Sequence, residues 1–126
     1  MRKLLLLALL VTLITGCSSN DREKAIDYLV KNQTNDVTVI VFGDKPSERS
    51  YIIDLQKDLQ FINENLRTDN PIANVSYIDI SEKQQYNFEE IFEIQTYPHI
   101  IVFEKNQIVL EAQTPDEIVR FYEKEK

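Results

Sequence analysis

The sequence has one cysteine, one histidine, two glycines, four prolines and no tryptophan among its 126 residues. Each scarcity removes a class of chemistry. A single thiol builds neither a disulfide framework nor a CxxC pair, and Cys17 with His99 cannot complete a structural zinc site. The two glycines, Gly16 and Gly43, cannot supply a phosphate-cradling loop. Basic residues are also short, 14 against 21 acidic ones, for a formal net charge of −7. Such a surface repels nucleic acid and anionic lipid headgroups. No nucleic acid, metal or cofactor is therefore expected as a partner. What remains is a globular composition, 43 % hydrophobic and 10 % aromatic. A chain this short holds one domain around one core, which excludes a multidomain enzyme.

Met1, Arg2 and Lys3 precede an apolar run from Leu4 to Ile14, the charged and hydrophobic regions of an export signal. The run is too short for a membrane-spanning helix, which needs about 20 residues. Ile14-Thr15-Gly16-Cys17 resembles the lipobox of bacterial lipoproteins. The resemblance implies cleavage before Cys17 and lipidation of its thiol through a thioether, with palmitate among the acyl chains. A plain secretory signal ending near a cysteine is the alternative. On the lipoprotein reading the chain divides into a signal peptide (1–16), a lipidated cysteine with a short tether (17–21) and a folded domain (22–126). The partner of Cys17 is then the lipid bilayer, and the domain sits on the extracytoplasmic face of the cell membrane. Removing Arg2 and Lys3 leaves 12 basic residues against 21 acidic ones, a net of −9. A thioether also leaves the mature protein no thiolate, the species that thiol–disulfide exchange requires.

Along the domain, Ala25, Ile26, Leu29 and Val30 recur at helical spacing within 22–33. Val37 to Phe42 is a β-branched, continuously apolar run, as in a strand covered on both faces. Ile52, Leu55, Leu59, Ile62 and Leu66 mark a long helix starting between Pro46 and Ser50. A second strand over 75–80 and a short helix around Phe88, Ile91 and Phe92 follow. Ile100–Phe103 and Ile108–Leu110, separated by Lys105-Asn106, predict an antiparallel hairpin. Thr114-Pro115-Asp116-Glu117 has the residues of a capping box and opens a last helix that turns Ile118, Phe121 and Tyr122 inward.

The order α-β-α-β-α-β-β-α resembles thioredoxin over roughly 37–122, most specifically at Phe92-Glu-Ile-Gln-Thr-Tyr-Pro-His-Ile-Ile-Val-Phe103. This resemblance implies an α/β fold, a central mixed sheet of about four strands with helices on both faces. It also implies a cis bond before Pro98, where the alternative is a trans proline opening a strand. The family's CxxC begins five positions after the aromatic end of its central strand. Counting from Phe42 reaches Ser47-Glu48-Arg49-Ser50, an SxxS that forms no redox bond. Thiol–disulfide oxidoreductase activity is not expected. For Ser47 and Ser50 themselves, capping of the long helix is the simplest role.

A binding surface survives in this resemblance. Thr96, Tyr97 and Pro98 would face Ser47, Glu48 and Arg49, with Asp44 and Lys45 beside them, and capture an extended peptide by strand addition. The expected function is a redox-inactive protein- or peptide-binding adaptor of the cell envelope, not an enzyme, with no catalytic residues. The alternatives are a small structural lipoprotein associated with peptidoglycan, and a hydrolase using Ser47 and His99. The hydrolase lacks an orienting carboxylate and a glycine-rich oxyanion loop in the sequence.

Overall fold

The computed structural model describes residues 20–125. The expected signal peptide, lipobox and acylated Cys17 lie outside the described residues. Residues 20–30 are helical and form α1. Then come β1 (Val37–Gly43), α2 (Arg49–Asn65), β2 (Asn74–Asp79), α3 (Phe88–Ile91), β3 (His99–Glu104), β4 (Gln107–Ala112) and α4 (Pro115–Glu125). Two boundaries move relative to the sequence reading. Asn20 and Asp21, expected in the tether, already belong to α1. At its other end α1 stops at residue 30, short of Gln33, whose amide side chain donates to the Thr38 hydroxyl at 2.7 Å and so satisfies a buried polar group of β1.

The sheet order is β2-β1-β3-β4. β1 pairs parallel with β2, because α2 carries the chain back across the sheet between them, and antiparallel with β3, which forms a hairpin with β4. As the apolar run predicts, six of the seven β1 residues are buried. Their alternation divides the core. Val37, Val39 and Val41 meet Leu55, Leu59 and Ile62 of α2 and Ile118 and Tyr122 of α4. Ile40 and Phe42 point to the other face, where Ala25 of α1 joins Phe88, Phe92 and Phe103. The rings there pack with centroids 5.6 Å apart for Phe42–Phe88 and 6.1 Å for Phe42–Phe92, tilted as their quadrupoles prefer.

α3 is a single turn, too short to stand alone, and holds through Phe88 beneath it and through Asn87, whose side chain accepts the Glu90 N–H. α1 runs antiparallel to β1. At its start Arg22 donates to the Ile91 carbonyl at 3.2 Å and lies 5.5 Å over the Phe92 ring, near the Phe42 end of β1. Past its end, Gln33 reaches Thr38 near the beginning of that strand.

Candidate functional site

The register of β1 and β3 sets Phe42 opposite His99, so the end of β1 lies beside the segment leading into β3. In that segment the Tyr97–Pro98 bond is cis, as the resemblance implies. Across from it the chain leaves Gly43 and turns over itself before entering α2. The two segments enclose a cavity of about 270 Å³. Gly43 and residues 44–48 form one side, Tyr51 of α2 adds a second wall, and Tyr97 with Pro98 closes the third. Gly43 is required here by proximity. Its φ is not positive, yet a Cβ at this position would stand 2.8 Å from the Lys45 carbonyl oxygen.

Ser47, Glu48, Tyr97 and Pro98 thus line one cavity together with Asp44 and Lys45. Thr96 and Arg49 are not among its lining residues. Thr96 turns to a separate depression shared with His99 and Glu111, where its hydroxyl accepts from the Gln113 side-chain amide. Arg49 is the first residue of α2 and is exposed. The capping role expected of the serines also fails. The N-cap of α2 is Glu48, in an extended conformation and without a side-chain cap bond, which leaves Ser47 before the cap and Ser50 one residue inside the helix. Neither position can aim a hydroxyl as an N-cap does.

The two aromatic walls are pinned by residues that sequence patterning did not single out. The Tyr97 hydroxyl donates to the Glu89 carboxylate of α3. Burial, that hydrogen bond, and the charges of Glu89 and Asp44 push its pKa well above the ordinary tyrosine value. The Tyr51 hydroxyl donates to the Gln113 carbonyl at 3.0 Å. Burial, with smaller contributions from Tyr77 and Glu117, raises its pKa to about 12. Both phenols stay protonated at neutral pH and act as hydrogen-bond donors, not as bases or nucleophiles. Gln113 links this wall to Thr96, and its own N–H donates to the Glu117 carboxylate at 2.8 Å at the start of α4.

His99 does have a carboxylate partner, contrary to the sequence reading. Its Nε2 lies 3.2 Å from Glu111 Oε1 on β4. That pair shares the sheet face of Ile101 and Phe103, whereas Ser47 leads into α2 on the opposite face. Ser47 and His99 line different depressions, so no Ser–His pair is assembled. Among the described residues no group of three or more His, Cys, Asp or Glu is placed to hold a metal ion, and no helix is long and apolar enough to cross a membrane.

No protein-family model and no curated protein sequence matches the chain. Solved structures do. The first thioredoxin domain of mouse protein disulfide-isomerase A4 is 22 % identical with a TM-score of 0.52, over 78 % of this chain and 67 % of that one. A designed protein is 21 % identical with a TM-score of 0.50, over 79 % of this chain and 83 % of that one. Human ERp44 is 12 % identical with a TM-score of 0.50, over 80 % of this chain but only 30 % of its own length. At these identities the likeness concerns the fold. The chain has a thioredoxin-like fold, a four-stranded mixed sheet between helices, and its single cysteine leaves it without a CxxC pair.

Proposed function

We propose that this protein is a membrane-anchored, extracytoplasmic lipoprotein, acylated at Cys17, whose thioredoxin-like domain binds an extended segment of an envelope protein or peptide without redox chemistry. The observation that carries the binding role is the cavity between the Ser47-bearing loop and Tyr97-Pro98, walled by two protonated phenols. Tyrosine gives large contact area at a low entropic cost, and its hydroxyl oxygen, whose proton is held by Glu89 or Gln113, can still accept an N–H from the main chain of a ligand. Serine at 47 and 50 has no thiolate to attack a disulfide, so the encounter ends in reversible contact. The lipobox-like Ile14-Thr15-Gly16-Cys17 supports the anchor.

Photo-crosslinking tests the binding role. A photoreactive amino acid at position 97 in living cells is expected to capture a discrete partner, and the purified domain is expected to leave insulin disulfides intact. Silence at 97, with a distant surface position capturing a partner instead, refutes the cavity as the binding site. Cosedimentation with purified peptidoglycan in place of protein capture would favour a structural wall-associated role.

A further inference from the structure

The start of the described chain and the cavity lie at the same end of the sheet. Arg22, near the start of the described chain, donates to the Ile91 carbonyl and covers Phe92; Phe92 packs 6.1 Å from Phe42; and Phe42 is the residue before Gly43, which lines the cavity. Three residue steps separate Cys17 from Asn20, where α1 is already helical. Fully extended, they span about 11 Å. The opposite end of the sheet, where Gln33 meets Thr38 and the Lys105 carbonyl, is a strand length farther from the lipid. Acylation at Cys17 would therefore hold the cavity end toward the bilayer.

Charge narrows the occupant. The cavity carries the carboxylates of Asp44 and Glu48 against the single ammonium of Lys45, on a domain of strong net negative charge. An anionic headgroup is repelled from such a site, whereas a polypeptide backbone is not. We infer that the cavity takes an extended juxtamembrane segment of a protein held in the same bilayer. This rests on the acylation of Cys17 and on the binding role proposed above. A freely diffusing protein would gain nothing from a site turned toward the lipid, while two partners confined to one surface gain effective concentration without any added contact.

The test uses the full-length protein in its native membrane, with the photoreactive residue at position 97 or, as a control, at position 106 in the β3–β4 turn. Adducts are mapped by mass spectrometry. The expected adduct from 97 falls within about 10 residues of a partner's membrane span or acylated cysteine, a reach of roughly 35 Å for an extended chain, and position 106 gives none. A flexible Gly/Ser insert of about 30 residues after Ser19 lets the domain wander roughly 30 Å from its anchor. That insert is expected to lower the yield of the adduct from 97 by about tenfold or more while Cys17 remains acylated. Capture at 97 of a partner without a membrane attachment, or capture unchanged by the insert, overturns the inference and leaves the binding role standing. A free thiol at Cys17 in the purified protein overturns the anchor on which the inference depends, and the absence of any adduct from 97 overturns the binding role itself.

Discussion

Gly43→Ala strikes the point where sheet and cavity meet, and two opposing effects decide its outcome. Alanine has less freedom than glycine in the unfolded chain, which favours folding by about 0.4–1 kcal/mol where the backbone accepts it. The backbone does accept it, since the φ of Gly43 is not positive. Against this, the new Cβ stands 2.8 Å from the Lys45 carbonyl oxygen, and ordinary contact begins at 3.4 Å, so loop and strand must part by about 0.6 Å. The strand cannot easily give way, because the Gly43 carbonyl accepts the Ile80 N–H at 2.8 Å. The loop must move. Such overpacking costs about 1–3 kcal/mol. The steric cost wins, for a net loss of about 1–2 kcal/mol, or a Tm lower by roughly 5–15 °C in a domain this small. Urea denaturation reads the loss as a lower midpoint at unchanged slope, and amide NMR shifts locate it to residues 44–48 and 97. A variant as stable as the parent, with those amides unmoved, would refute the close-approach argument.

Other expectations follow from the same structure. Phe88→Ala, at a position 1 % exposed among four aromatic neighbours, is expected to cost about 3–5 kcal/mol, while Phe61→Ala, 44 % exposed on α2, stays within about 0.5 kcal/mol; equal losses in chemical denaturation would show that the assigned core is wrong. The Glu117 carboxylate accepts the N–H groups of Thr114 and Gln113, which hold its pKa below the ordinary value, so its contribution is complete at neutral pH and disappears as the pH falls through the lowered folded value. Glu117→Gln should then destabilise the domain at neutral pH, by less than about 1 kcal/mol because Gln keeps an acceptor oxygen at this exposed capping position, and progressively less in acid, and a loss that stays constant with pH would contradict this. In a spectrophotometric titration Tyr97→Phe is expected to leave the absorbance gained by about pH 11 unchanged, because partial burial, the Glu89 hydrogen bond and the charges of Glu89 and Asp44 make this phenol ionise above the ordinary range; a smaller signal from the variant would mean that Tyr97 is not protected.

What was legible in the sequence was whatever burial imposes periodically. Val37–Phe42 could only be a strand covered on both sides, and Leu55, Leu59 and Ile62 could only be the inner stripe of a helix. Tyr51, one turn before Leu55, lies on that same stripe and was available to the same argument. The start of α2 was not. Serine caps helices better than glutamate, yet Glu48 occupies the cap, with no side-chain cap bond, just after the chain passes close over Gly43. At the start of α4 the residue types of a capping box are present but only one of its two bonds forms: Glu117 accepts the Thr114 N–H, whereas the Thr114 hydroxyl donates to that carboxylate instead of capping the Glu117 N–H. Pairs such as Gln113 with Thr96 and Tyr97 with Glu89 join polar residues of no periodicity across the chain. They arise from the fold, and no spacing announces them.

The cavity is a product of sheet register, and that separates it from redox chemistry. Pairing of Phe42 with His99 brings Pro98 beside Gly43, the close passage of Lys45 over Gly43 shapes the loop, and Glu89 and Gln113 hold the two tyrosines. None of these contacts uses a thiol. The single cysteine leaves no CxxC pair for exchange, and the concave surface stands without one. Under the proposed role, the partner must then be retained by hydrogen bonds and aromatic contact alone, with no mixed disulfide to prolong the encounter. A cavity of about 270 Å³ contacts only a few residues of a peptide, which limits the affinity the site can reach by itself. The proposed confinement to the membrane would compensate for that weakness, because it would replace the dilution of free solution with the local concentration of a short tether. The two halves of the proposal thus depend on each other: weak, reversible contact at Tyr97-Pro98 suffices when Cys17 keeps the site at the bilayer, and release of the domain from its anchor is expected to abolish capture without unfolding it.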